Sequence, residues 1–155
     1  MKNSNFSRLK LAAVLVAFVC ACALFTGCGP KPEKEKPVVD YVTPLVGTWK
    51  SEFTGGYDQY TITAEKVTYE SVFTGYDPYT WEGSLVKATD SYIYVKKSDN
   101  KYYCTAYKNL TAQSCSLADA YKADGKTNAE TLEDAKSEFT VENGYFNKYG
   151  EYKKQ

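Results

Sequence analysis

Between residues 45 and 155, short runs rich in Tyr, Thr, Val and Ile alternate with clusters of Gly, Asp, Asn and Pro. That pattern signals an antiparallel all-β domain. It predicts strands over 46–53, 58–63, 66–73, 79–87, 91–97, 101–108, 113–118 and 144–152. Alternation assigns faces to several of them. Tyr79, Trp81, Gly83 and Leu85 share one side, and Thr80, Glu82 and Ser84 the other; Val67, Tyr69, Ser71 and Phe73 likewise oppose Thr68, Glu70 and Val72. The fifth strand is apolar at both parities, so its pattern does not orient it. Before the last strand the period changes. Ala129, Leu132, Ala135 and Phe139 recur at spacings of three and four, which predicts a surface helix over 127–139 with Leu132 and Phe139 turned inward. Thr127 and Glu130 have capping-box spacing.

Residues 48–61 recur, with one Gly dropped, as residues 68–80: Thr, an aromatic, Ser, Phe, Thr-Gly, Tyr-Asp and Tyr-Thr return about twenty positions later. That distance spans two strands, so a hairpin is copied into the next hairpin and no solenoid is implied. Sequential strands with short links suit an up-and-down meander, which escapes exposed edges by closing into a barrel. In such a barrel the links after strands one, three, five and seven lie at one end. They bring together Tyr57, Asp58, Tyr60, Tyr76, Asp77 and Tyr79, with the helix segment over them. Flat rings with hydroxyls, beside carboxylate acceptors, suit a polar ring-shaped ligand such as a sugar or a small aromatic. The alternative is plain structure, since Asp and Gly form turns and Tyr forms strands. Fifteen tyrosines either line a cavity or fill it, and an eight-stranded barrel is just wide enough for one or the other.

The chain before the domain reads differently. Residues 1–10 carry Lys2, Arg8 and Lys10 and no acid, and residues 11–25 carry no charge. A basic start followed by a short apolar run is a secretory leader. It is shorter than the ~20 residues of a membrane span, although an uncleaved anchor helix remains the alternative. Residues 30–44 hold four prolines and alternating charge, a composition that favours an extended tether. About 16 residues at ~3.3 Å each reach at most ~50 Å.

Charge and composition narrow the chemistry. The chain balances 19 basic against 19 acidic residues; without Lys2, Arg8 and Lys10 the acids predominate, which argues against a nucleic-acid partner. There is no histidine, and Arg8 is the lone arginine. An imidazole-activated nucleophile and a histidine metal site are therefore excluded, and no cofactor is implied. The expectation is a non-enzymatic protein.

Leu24-Phe25-Thr26-Gly27-Cys28 resembles the lipobox of bacterial lipoproteins. The resemblance implies cleavage after Gly27, acylation of Cys28 and a place in the cell envelope, with Cys22 a weaker rival site. Gly29 resembles the sorting pattern for the outer membrane, where the bacterium has one. The resulting division is a signal peptide over 1–27, a lipid-anchored tether over 28–44 and a barrel domain over 45–155. Cys20 and Cys22 leave with the leader, so Cys104 and Cys115 remain, and an even pair in an exported domain reads as a disulfide. A hairpin of strands six and seven centred between Asn109 and Leu110 would set the two opposite each other; the alternative is two reduced thiols packed as apolar groups.

Gly47-Thr48-Trp49, within residues 45–50, resembles the Gly-x-Trp opening of lipocalin-like proteins, whose tryptophan plugs the closed end of the barrel. The resemblance implies an all-β, eight-stranded antiparallel up-and-down barrel, here with one α-helix before the last strand, whereas lipocalins carry theirs after it. The domain also has no arginine for the basic position that lipocalins keep in their late strands. Two functions fit: a small-ligand binder with a Tyr/Asp-rich mouth, or a structural or interaction lipoprotein with a filled barrel, contacting an envelope or host protein or acting as an inhibitor.

Overall fold

A computed structural model of the chain describes residues 38–155. The leader, Cys28 with its rival Cys22, and the tether as far as residue 37 lie outside the described residues.

The meander is present and closes. Strands β1 (Gly47–Phe53), β2 (Gly56–Ile62), β3 (Lys66–Phe73), β4 (Tyr79–Ala88), β5 (Tyr92–Lys96), β6 (Tyr102–Lys108), β7 (Ser114–Asp119) and β8 (Gly150–Lys154) pair in sequence, and β8 returns to β1. Every pairing is antiparallel. One helix, α1 (Leu132–Glu138), precedes β8.

Period two fixes what lies inside. Trp49, Tyr60 and Tyr69 face one another across β1, β2 and β3 in the register Trp49↔Tyr60↔Tyr69. They belong to an interior cluster with Ile62, Val67 and Leu117. A chain of rings crosses the middle of the barrel: Tyr152 to Tyr60 at 5.4 Å, Tyr60 to Tyr69 at 4.8 Å, and Tyr69 stacked on Trp81 at 5.8 Å. The tyrosines therefore fill the middle of the barrel rather than line an empty one.

One end is sealed. A 3-10 turn over Thr43–Leu45 places Leu45 under the barrel, and the indole Nε1 of Trp49 donates to the Leu45 carbonyl at 2.7 Å. Both residues are fully buried. Although the domain lacks arginine, a basic group of β8 does cover this ring: the Lys154 ammonium lies 5.0 Å from its centroid. Gly47 makes the approach possible. Its φ is +142°, and a Cβ there would sit 2.4 Å from Cε of Lys154.

The outer face of β5, β6 and β7 is buried as well. Tyr94, Cys104, Ala106 and Ala118 lie beneath the segment between β7 and β8, packed against Ala135, Phe139, Tyr145 and Phe146. This explains why β5 is apolar at both parities: Ile93 and Val95 face the interior and Tyr94 faces the helix segment.

Three expectations change in this region. The helix begins five residues late, capped by the Thr131 hydroxyl accepting from the Asp134 amide at 3.1 Å. Residues before it are extended instead, because Ala129 exchanges two 2.9 Å backbone hydrogen bonds with Tyr102 at the edge of β6. The last strand begins at Gly150, not residue 144, because Tyr145 and Phe146 are spent packing the helix segment. Finally, Cys104 and Cys115 are both free and buried. The β6–β7 register pairs Ala106 with Ala118 and Thr105 with Asp119, a slip by an odd number of positions from a hairpin centred between Asn109 and Leu110. An odd slip exchanges faces, so Cys115 points into the interior and Cys104 outward beneath the helix segment. The structure therefore shows no disulfide between them.

Candidate functional site: the barrel mouth

The end opposite Trp49 is open, and the links after β1, β3, β5 and β7 surround it. Inward-facing positions near the tops of β2, β4, β6 and β7 supply its wall. Asp58 and Tyr60 come from β2, Tyr79 and Trp81 from β4, Tyr103 and Thr105 from β6, and Asp119 from β7. Lys97 follows β5. Tyr69, Trp81, Lys97, Tyr103, Thr105 and Asp119 are among the residues around a cavity of about 260 Å³. That is just below the usual size of ligand pockets, which run from roughly 300 Å³.

Asp119 is the unusual member. It is exposed to solvent, yet protein surrounds its carboxylate on most sides. Its Oδ1 accepts from the Thr105 hydroxyl at 2.6 Å. Desolvation pushes its carboxyl above the usual value, against the opposing influence of Thr105, the Tyr60 hydroxyl and the Lys97 ammonium. Burial likewise raises the Tyr60 phenol well above its ordinary range, and the Asp119 charge adds to the effect.

Lys97 sits between rings. Its ammonium is 4.0 Å from the centroid of Trp81 and 4.0 Å from that of Tyr103, a cation–π clamp. Desolvation lowers its pKa, and the Asp119 and Asp99 carboxylates oppose that shift. The Tyr103 hydroxyl donates to Asp99 Oδ2 at 2.6 Å, and the Tyr69 hydroxyl to Asp58 Oδ1 at 2.9 Å. Each carboxylate keeps accepting capacity after these bonds. Among the described residues no group of three Cys, Asp or Glu side chains is arranged to hold a metal ion.

Of the residues expected at the mouth, Asp58, Tyr60 and Tyr79 face inward. Tyr57 does not: adjacent strand residues point to opposite faces, and its hydroxyl donates to Glu70 Oε2 at 2.8 Å on the outer surface, under the Lys50 ammonium at 4.4 Å. Tyr76 and Asp77 lie on the exposed link between β3 and β4, with Tyr76 74% exposed. Sequence reasoning missed Lys97, Thr105 and Asp119. Tyr69 and Trp81 had been assigned faces by alternation but not a place at the mouth. A register for β6–β7 would have exposed Thr105 and Asp119 as an interior polar pair.

Around the opening is a second feature. Phe53 and Phe73, the phenylalanines of the two repeat copies, stack at 6.1 Å on either side of Gly56. Phe73 also meets Tyr76 at 5.7 Å. The repeat's two turns are joined, since Thr74 donates through both its amide and its hydroxyl to the Gly55 carbonyl, each at 2.8 Å.

Comparison with protein-family models, curated proteins and solved structures finds no match for the chain.

Proposed function

We propose that the protein is a bacterial lipoprotein of the cell envelope, anchored through lipid on Cys28, whose lipocalin-like barrel binds a small polar ligand in its mouth without chemical transformation. The observation that carries the binding reading is Asp119. A carboxylate held among rings at a cost to its ionised form, with Thr105 and Tyr60 oriented on it, is expected where a ligand supplies further hydrogen bonds. The anchor reading rests on the Leu24–Cys28 sequence and the proline-rich tether. The Gly-x-Trp opening, with Trp49 sealing one end under Lys154, supports the lipocalin-like reading.

Native mass spectrometry of protein released from its own membranes tests the binding reading. The expected spectrum shows a discrete small-molecule adduct that Asp119→Asn loses or weakens. A protein free of adducts, in wild type and variant alike, counts against it. Incorporation of a palmitate analogue, abolished by Cys28→Ser, is the expected result for the anchor; labelling that survives would redirect attachment to Cys22.

The second reading, an interaction lipoprotein, draws on the filled middle of the barrel and the exposed rings Phe53, Phe73 and Tyr76. Crosslinking from position 76 in intact cells to one recurrent envelope or host protein, with no adduct in the mouth, would favour it.

A further inference from the structure

We infer that the ligand is a neutral glycan, with one ring in the mouth and the next on the aromatic platform of Phe53, Phe73 and Tyr76. This rests on the mouth being a ligand site and names its substrate class.

The size of the recess sets the first step. About 260 Å³ takes one small ring, so a longer ligand must continue outside. The rings indicate where. In the β3–β4 register Ser71 faces Tyr79, and Phe73 is the next residue on the same face of β3. Phe73 and Tyr79 are therefore diagonal neighbours, a distance that aromatic side chains bridge. Tyr79 in turn meets Tyr69 at 6.3 Å, and Tyr69 stacks on Trp81. Trp81, Tyr69 and Tyr79 thus lead up from the recess, and Phe73, one diagonal step further, begins a second group of rings at the rim with Phe53 and Tyr76.

The platform is more exposed than packing alone requires. Phe53 and Phe73 close over Gly56, where a side chain would collide with the Val72 carbonyl and the Phe53 ring, and this much is structural. Yet they remain 42% and 48% exposed, and Tyr76, which covers no glycine, is 74% exposed.

Charge and hydrogen-bonding capacity select the occupant. Asp58 accepts from the Tyr69 hydroxyl and Asp119 from that of Thr105, with the Tyr60 hydroxyl also turned to it; with two oxygens each, both carboxylates keep lone pairs free. Acceptors between aromatic faces match a ring with apolar C–H faces and an equatorial belt of hydroxyl donors. Asp58, Asp77, Asp99 and Asp119 disfavour an anionic ligand and an anionic lipid surface. An organic cation meets a different obstacle, because Lys97 already occupies the clamp between Trp81 and Tyr103.

Trp81 provides the readout, since the other tryptophan, Trp49, is sealed at the far end. The full mature chain in detergent is titrated with neutral gluco- and manno-configured saccharides, from monosaccharides to longer chains. Tyramine, oligogalacturonate and phosphatidylethanolamine–phosphatidylglycerol vesicles are the comparisons, and Trp81→Phe assigns the signal. The expected result is saturable binding of a neutral saccharide that tightens with chain length. Tyr76→Ala should remove that gain, weakening the longer chain roughly two- to tenfold, as loss of one ring contact implies, with monosaccharide affinity and melting temperature unchanged. Asp119→Asn should weaken all lengths together. Binding of tyramine without any saccharide leaves the mouth a ligand site and overturns the glycan. Saccharide binding without dependence on length or Tyr76 overturns the platform. Vesicle binding lost on Tyr76→Ala reassigns the platform to lipid. No binding of any probe, together with no co-purified adduct, overturns the mouth reading as well.

Discussion

Asp119 shows how a residue's surroundings separate stability from use. In the folded chain desolvation by the surrounding walls raises its carboxyl above the ordinary value of 3.8, so the native state takes up this proton more readily than the unfolded chain does. Its contribution to stability is therefore most favourable at acid pH and declines as pH rises from about 3.8 through the folded pKa. Asp119→Asn removes the titration and retains an acceptor for the Thr105 hydroxyl. The variant is expected to melt higher than wild type at neutral pH, with the gap closing as pH falls below the ordinary carboxylate range. Carboxylates lowered by hydrogen bonds or ion pairs, such as Glu52 beside Lys50 and Asp99 beside Tyr103, act in the opposite direction. They are common to both proteins and cancel in the comparison. Thermal melts across the acid-to-neutral range decide it: a variant less stable than wild type at neutral pH would show that Asp119 is a structural group. The same residue marks a limit of sequence reading. Tyr57 and Asp58 stand side by side in the repeat, yet strand alternation sends one outward and the other inward. Grouping them as a motif obscured a distinction that period two had already made for β3 and β4.

At the scale of elements, strand number and order were legible because turn residues punctuate the chain and six of the seven strand-to-strand links are short. Registers were less so. The β6–β7 link offers Lys108-Asn109-Leu110-Thr111 without a Gly to mark the turn, while Asn109 takes a left-handed φ of +54°. Thr111 then ties back to Ser114, its hydroxyl accepting from the Ser114 amide at 2.9 Å. These local bonds set the slip that sends the two cysteines to opposite faces. The helix segment was legible as a change of period, but Ala129, read as part of the helical stripe, serves β6 as an added bridge. Alkylation mapping tests the register. Without reductant, Cys104 and Cys115 are both expected to be modified after denaturation and to resist modification in the folded protein. Burial hinders access, and it pushes the Cys115 thiol up to about 12 and Cys104 higher still. A disulfide-linked peptide pair from protein taken out of its native compartment would contradict the faces assigned here.

For the whole molecule, the barrel depends on one long-range closure, which the sequence hinted at through the meander's need to cover its edges and through Gly47 and Trp49. Between β1 and β8 the register is short, Trp49↔Lys154 and Lys50↔Lys153, extended by the Gln155 amide donating to the Thr48 carbonyl at 2.9 Å. Side chains reinforce this seam: Tyr152 enters the interior cluster, and Lys154 crosses Gly47 to reach the Trp49 ring. An alanine at position 47 meets two penalties. One is the backbone, held at φ +142°, where a side chain costs about 1–3 kcal/mol. The other is the flexible end of Lys154, which can swing aside but then leaves Trp49, forfeiting a contact worth roughly 0.5–1 kcal/mol at a partly exposed site. The two separate in a double-mutant cycle. Gly47→Ala in the wild-type background should lose both contributions, whereas Gly47→Ala in a Lys154→Ala background should lose the backbone part alone. The expected coupling is therefore about 0.5–1 kcal/mol by denaturant unfolding. Strict additivity would mean that Gly47→Ala leaves the Lys154–Trp49 contact in place, and the loss in Lys154→Ala alone would then measure what Lys154 adds to closure.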